Sequence, residues 1–478
     1  MTHTDIDLVY YSAQQLVGLF ARRAISPVDV VKAQIARAEK FNFELVAFGD
    51  CYFDAALRFA AEAEARWLRG EARPLEGITL AVKDAQNIAG QRTTYGSLAF
   101  KDNVPELTDP MIERLQGAGA IILARTTTSE LCLSGVNRSS MWGLGQNPWN
   151  TACSPGGSSG GSAAALAAGF TTLATGTDMG GSIRVPASAC GLVGFKPPHG
   201  RNPDAYPNSL DIFCVCGPLA RNVADVITMQ NNTAGSHWRD PHSLPKPPAV
   251  SSVPGSLKGL RVAYSLDLSY RKVDPEVRKN TLVAIDLFRA LGCEVDEVDL
   301  EWTADIDRIC VHWFNAMWSG RTLVNLLEHK PGFLPDFLTA AARDAQASTA
   351  GDLALVYGMI ERMNRSFGRV MADYDLFLCP TMTVPAVRAN QDFLPGGLTI
   401  DGAEVDPEFG YSVTHQFNML GTCPVVSVPS GFSTLGAPTG LQIAGRPYDD
   451  ATVLGAALAY EAARGPWYLT PETRPRLS

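Results

Sequence analysis

Leu75-Glu-Gly-Ile-Thr-Leu-Ala-Val-Lys-Asp84 is the stretch from which the fold can be read. Ile78–Val82 is a continuous apolar run of strand length, bounded by Gly77 on one side and a charged pair on the other, as in a strand buried on both faces. Asp109-Pro110 then starts a helix through Leu115, since proline fits the first helical position. Gly117-Ala-Gly119 makes the turn, and Ala120–Ala124 is a second buried strand. Strand, helix and strand in this order predict an α/β protein. The first strand delivers Lys83 at its end. A lysine there ordinarily marks where a strand meets solvent.

Upstream, residues 12–70 read as helices. Ser12-Ala-Gln-Gln15 and Ser26-Pro-Val-Asp29 carry a hydroxyl cap with a polar side chain three residues on, and Val28, Val31, Ile35 and Ala38 recur at helical spacing. Downstream, Val193–Lys196, Leu260–Tyr264, Asp375–Cys379 and Val425–Val428 read as short buried strands, Cys293–Val298 as a half-buried one, and Asp274–Leu291 as a helix. Residues 305–372 are mostly helical and rich in aromatics, and residues 389–410, with their Gly and Pro, read as a mobile loop. No internal repeat or clean linker divides the chain, so residues 1–478 are expected to form one domain, with the mostly helical 305–410 region as a cap over a substrate pocket.

The composition, 46% hydrophobic and 19% charged over 478 residues, is that of a globular chain with a large core. The net charge of −9 is not relieved by any long basic run, which argues against a nucleic-acid surface. No apolar run approaches a membrane-spanning length, and the acidic start Met1–Asp7 is unlike a secretory signal. The ten cysteines have no Cys-x-x-Cys spacing and fit a reduced, cytoplasmic protein. No metal site is expected.

Two Gly/Ser loops stand out: Ser154-Pro-Gly-Gly-Ser-Ser-Gly-Gly-Ser162 and Gly176-Thr-Asp-Met-Gly-Gly-Ser-Ile-Arg184. Neither can build a core, but both offer bare backbone N–H groups and hydroxyls. A phosphate loop would need Gly-x-x-x-x-Gly-Lys-Ser/Thr, or Gly-x-Gly-x-x-Gly directly after a strand, and neither is present. Gly157-Ser-Ser-Gly-Gly161 matches Gly-x-Ser-x-Gly with Ser159 as nucleophile, but Asn147-Pro-Trp149 and Pro155 replace the strand that such an elbow requires, and only His199 and His415 are candidate partners. A third reading uses Lys83. Burial can hold a lysine neutral so that it accepts a proton from a serine, directly or through a second serine, while N–H groups of Met179, Gly180, Gly181 and Ser182 converge on an oxyanion.

Lys83, Ser158 and Ser182 in this spacing resemble the Ser–cis-Ser–Lys triad of the amidase signature family. The resemblance extends over Pro155–Ser162, Gly176–Pro186, Gly191-Leu-Val-Gly-Phe-Lys-Pro197, Pro380–Pro385 and Gly440-Leu-Gln-Ile-Ala-Gly-Arg-Pro447, and so over residues 12 to 465. It implies an α/β/α sandwich with a central mixed β-sheet flanked by helices. It further implies an amide hydrolase acting on a small-molecule amide without metal or cofactor. In that reading Ser182 is the nucleophile, and Ser158, following a cis Gly157–Ser158 peptide, relays its proton to neutral Lys83. Asp178 and Arg184 hold the loop, Ser159 hydrogen-bonds nearby, and Cys132 and Leu133 line the acyl pocket. Esters and carbamates are further candidate substrates, a homodimer is a candidate assembly, and a glutamine-hydrolysing amidotransferase subunit is the alternative within the family. Pro198 and His199 depart from the family pattern outside the triad.

Overall fold

The computed structural model describes residues 8–391 and 396–477. Its centre is an eleven-stranded sheet. In chain order the strands are β1 (Phe48–Cys51), β2 (Thr79–Lys83), β3 (Ile121–Thr126), β4 (Leu173–Asp178), β5 (Val193–Lys196), β6 (Val215–Ala220), β7 (Arg261–Tyr264), β8 (Glu294–Glu297), β9 (Leu376–Pro380), β10 (Val425–Phe432) and β11 (Pro438–Gly445). Across the sheet they run β1-β3-β2-β4-β6-β5-β10-β11-β9-β7-β8. β3, β2 and β4 are mutually parallel, as are β9, β7 and β8, and the strands between these two sets pair antiparallel. The sheet is therefore mixed, with helices packed on both faces. The expected strand–helix–strand unit is present as β2, the helix Pro110–Gly117 and β3.

Alternation along β2 assigns the faces. Leu80 and Val82 pack into one apolar cluster with Met111, Ile112 and Leu115 of the crossover helix. Ala81 belongs to a second cluster on the opposite face, with Ala163–Ala168. Side chains two apart on a strand share a face, so Lys83 is carried on the same side as Ala81, towards the helix Gly160–Ala168. Every residue of that helix is buried, and Leu166 is its only side chain larger than Ser or Ala. A helix apolar on all sides can lie between other layers, and small side chains let it approach them closely. A Cβ at Gly161 would stand 2.5 Å from the backbone of Thr127.

Both expected capping boxes form, at Ser12/Gln15 and Ser26/Asp29. Between the helices of this region, however, Phe48–Cys51 is an edge strand antiparallel to β3, where the sequence reads as helix throughout. β8 is more exposed than its alternation predicts, because it too lies at an edge, and only Val295 is partly covered. Residues 389–410 are not loop throughout. Thr399–Ile400 pairs with Ala403–Glu404, and Ile400 is buried in a small cluster with Val136 and Val387, while residues 392–395 fall outside the described part of the chain. So does the acidic start, residues 1–7. Of the aromatics in the helical region, Trp313 is buried and stacked on Phe213 at 4.2 Å, but Phe333, Phe337 and Tyr357 are exposed. Among the described residues no helix is long and apolar enough to cross a membrane, and no cluster of His, Cys, Asp and Glu could hold a metal ion.

Candidate active site

Lys83 does not meet solvent. It is wholly buried, and its Nζ lies 2.7 Å from Ser158 Oγ and 2.8 Å from Thr177 Oγ1. The strand end is fixed from the other side by Arg125 of β3, which donates to the Lys83 carbonyl at 3.1 Å. Burial lowers the Lys83 pKa; Asp178 opposes this in part from a distance, but among the described residues no carboxylate makes an ion pair with the amine. A buried amine without an anion is held towards its neutral form. In that form it has two N–H donors and one lone pair.

Ser158 closes the first Gly/Ser loop. The Gly157–Ser158 peptide is cis, and the Ser158 carbonyl accepts from Thr128 Oγ1 at 2.8 Å. The second loop follows β4 directly. The Ser159 N–H donates to the Ser182 carbonyl at 3.2 Å, and the Ser159 hydroxyl to the Thr177 carbonyl at 3.4 Å. The backbone thus joins the two loops at the serines singled out in the sequence. Ser158, Thr177, Met179 and Ser182 line one cavity of about 40 Å³, together with Cys132 and Leu133 as the resemblance implies. Tyr95 and Trp318 also line it.

Asp178 and Arg184 set the conformation of the second loop. Asp178 is fully buried and accepts from the backbone N–H groups of Gly181 (2.8 Å), Ile183 (3.2 Å) and Arg184 (3.4 Å), as well as from Arg184 Nε and Nη2. Burial alone would raise its pKa. The Arg184 guanidinium and the Asn418 amide outweigh that and bring it down to about 2. Arg184 uses all five of its donors: two on Asp178, and one each on the Thr414 carbonyl, Gln442 Oε1 and Asn418 Oδ1. Thr414 Oγ1 also donates to the Gly180 carbonyl at 2.6 Å. Gly181 has φ +127°, and a Cβ there would fall 2.0 Å from Thr414 Oγ1.

This arrangement changes the expected donor set. The Gly181 N–H is already given to Asp178. The N–H groups of Met179, Gly180 and Ser182 have no acceptor among the described residues. Three donors, not four, are left for an incoming oxygen.

Neither histidine considered for an elbow lines this cavity. His415 Nε2 is 2.8 Å from Asp307 Oδ1, and His199 packs against His242 with ring centroids 5.5 Å apart. The sequence reading also missed Thr177, Thr414 and Asn418. Gln442 lies inside a quoted motif, but nothing in the sequence shows that it reaches Arg184.

The sequence profile of the family described as Amidase matches residues 29–454. The chain belongs to the amidase signature family. An acylamidase of Rhodococcus erythropolis is 33% identical, over 97% of each chain. A glutamyl-tRNA(Gln) amidotransferase subunit of Geotalea daltonii is 31% identical, over 95% of this chain and 98% of that one. The crystal structure of a bacterial aryl acylamidase of the amidase signature enzymes superposes with a TM-score of 0.87 at 28% identity, over 95% and 96% of the two chains. This amidase signature protein is accordingly an enzyme of the amide-hydrolase class, and the mixed sheet between helical layers is the family's sandwich.

Proposed function

We propose that the enzyme hydrolyses a small carboxamide through an acyl-enzyme on Ser182. The observation that carries the reading is Lys83: a fully buried amine, without a carboxylate, 2.7 Å from the hydroxyl of Ser158. The Ser182 oxygen attacks the amide carbonyl, its proton passes to Ser158, and the Ser158 proton passes to the Lys83 lone pair. The carbonyl oxygen takes negative charge and is received by the N–H groups of Met179, Gly180 and Ser182. The tetrahedral intermediate collapses, the C–N bond breaks, and the proton returns from Lys83 through Ser158 to the leaving nitrogen. Water then repeats the sequence on the ester and frees the acid. The cycle calls on no metal or cofactor.

The acylamidase relative supports an acyl amide as substrate, and anilides, esters and carbamates are the panel to try. The amidotransferase relative is nearly as similar, so glutamine belongs in the same panel, with and without co-purifying proteins. The decisive experiment labels the intact protein with a fluorophosphonate and maps the adduct by mass spectrometry. The expected adduct is on Ser182, with turnover absent in Ser182→Ala. Hydrolysis that survives Ser182→Ala in a folded protein overturns the mechanism. Glutaminase activity that depends on a co-purifying partner would assign the amidotransferase role instead.

A further inference from the structure

Beside the catalytic cavity lies a second chamber of about 150 Å³. Ala85, Tyr95, Asn208 and Trp318 belong to both walls. Asp109 and Asp204 line this chamber and not the first cavity. Asp204 Oδ1 accepts from the Ala205 N–H at 2.8 Å and the Asn208 side chain also hydrogen-bonds this carboxyl, while Oδ2 is buried with no partner at hydrogen-bond distance. Asp109 Oδ2 accepts from the Asn87 N–H at 2.8 Å, and although Asp109 precedes the helix Pro110–Gly117 it makes no capping bond. A buried acceptor with no donor is unfavourable, and a chamber wall is where a ligand can supply that donor. The remaining wall includes four aromatic side chains (Tyr95, Phe100, Tyr206 and Trp318) and the cation Arg321, with Tyr206 exposed to solvent.

We propose that this chamber is a substrate subsite for a protonated amine, received between the carboxylates of Asp109 and Asp204 and against the faces of Tyr95 and Trp318. Paired carboxyls and aromatic faces both favour an ammonium group. The subsite rests on reading the Ser182 cavity as the place of chemistry, and it narrows the substrate class to amides with an amino group on the part that extends past Trp318. Burial, with Asp109 and Asp240 close by, pushes the Asp204 carboxyl up to about 8, and burial pushes that of Asp109 up to about 6. A cation between the two carboxyls favours their ionised form and opposes this rise. Arg125, Arg239 and Glu113 lie around Asp109, and Asn208 beside Asp204. Arg321 lies in the same chamber, stacked on Trp318 at 5.4 Å, and its charge acts on Tyr206, Asp211 and Tyr95. It is the group that an anionic ligand would choose.

Direct binding to the full-length protein tests this without any turnover. Benzylammonium chloride, benzyl alcohol and sodium benzoate are titrated by calorimetry into the wild type, Asp204→Asn and Asp109→Asn. Between about pH 8 and about pH 9, where the ammonium probe is still cationic, it is expected to bind at least about tenfold more tightly than the alcohol, the worth of one charge-assisted hydrogen bond. The preference should shrink as pH falls through the raised carboxyl values, because protonated acids cannot pair with a cation. It should be lost in both variants. If either variant fails to fold, the probe preference and pH dependence of the wild type decide alone. Equal binding of alcohol and ammonium, tighter binding of benzoate, or unchanged affinity in the folded variants overturns the proposal. Absence of the Ser182 adduct with the ammonium preference intact would overturn the hydrolytic mechanism and leave the subsite standing.

Discussion

Thr177→Val tests how Lys83 is aimed. Thr177 Oγ1 is 2.8 Å from Nζ, on the last residues of β4 before the catalytic loop. For Ser158 to give up its proton, the amine's one lone pair has to face Ser158 Oγ, and that orientation is held only while an N–H is taken by Thr177. Valine keeps the shape and removes the acceptor. One neutral hydrogen bond is worth about 1 kcal/mol net, so kcat/KM should fall about fivefold. The same acceptor would serve a charged amine better, since hydrogen bonds to charged groups are worth about 1.5–3 kcal/mol. Its loss therefore disfavours the ammonium further, and the acid limb of the activity profile should move to lower pH. Anilide hydrolysis measured across pH, beside the melting temperature, reads both effects. A lower rate with an acid limb displaced downward is a combination that general damage to the fold does not produce. An unchanged rate and limb, or a loss as complete as that of Lys83→Met, would refute the aiming role.

In the wild type, the lowered Lys83 pKa makes the neutral amine the form present at higher pH, so kcat/KM should fall as pH drops and the amine charges. A flat profile between about pH 5 and about pH 9 counts against the relay. Asp178→Asn leaves the Arg184 charge buried without its partner and should cost about 3–5 kcal/mol in urea unfolding. Because the Asp178 pKa is depressed to about 2, its contribution in the wild type is present above the ordinary carboxylate range and is lost as pH falls towards that value. Gly181→Ala puts a side chain at φ +127° against Thr414 and should destabilise by about 1–3 kcal/mol from the backbone alone, with kcat falling as the Thr414–Gly180 bond is displaced. A melting temperature equal to that of the wild type would contradict the close approach of Thr414 to this position.

What the sequence discloses and what it hides follow from locality. The β2–helix–β3 unit is legible because an apolar run, a proline and two glycines lie within fifty residues and each acts on its neighbours. Phe48–Cys51 is hidden because Gly49 and Asp50 have low strand propensity, and the segment is a strand only through its pairing with β3. β6 escapes for a similar reason: Gly217 and Pro218 interrupt its pattern, yet it is fully buried between β4 and β5. At the site, Ser158 and Ser182 announce themselves in loops too small-sided to pack. Lys83 does not, because its burial depends on a helix some eighty residues further on. Asn418 and Gln442 meet Arg184 across more than 230 residues, and a contact of that span leaves no local pattern in the chain.

The Asp178–Arg184 lock engages the catalytic loop entirely from behind. Its partners Asn418, Gln442 and Thr414 are absent from the cavity wall, while Cys132, Leu133, Tyr95 and Trp318, which do form that wall, take no part in the lock. In the proposed mechanism, reactivity and selectivity thus belong to different sets of residues. A designer could replace the four wall residues to admit a new acyl group without touching what shapes the loop. Natural divergence has the same freedom: the substrate can change while the chemistry stays where it is.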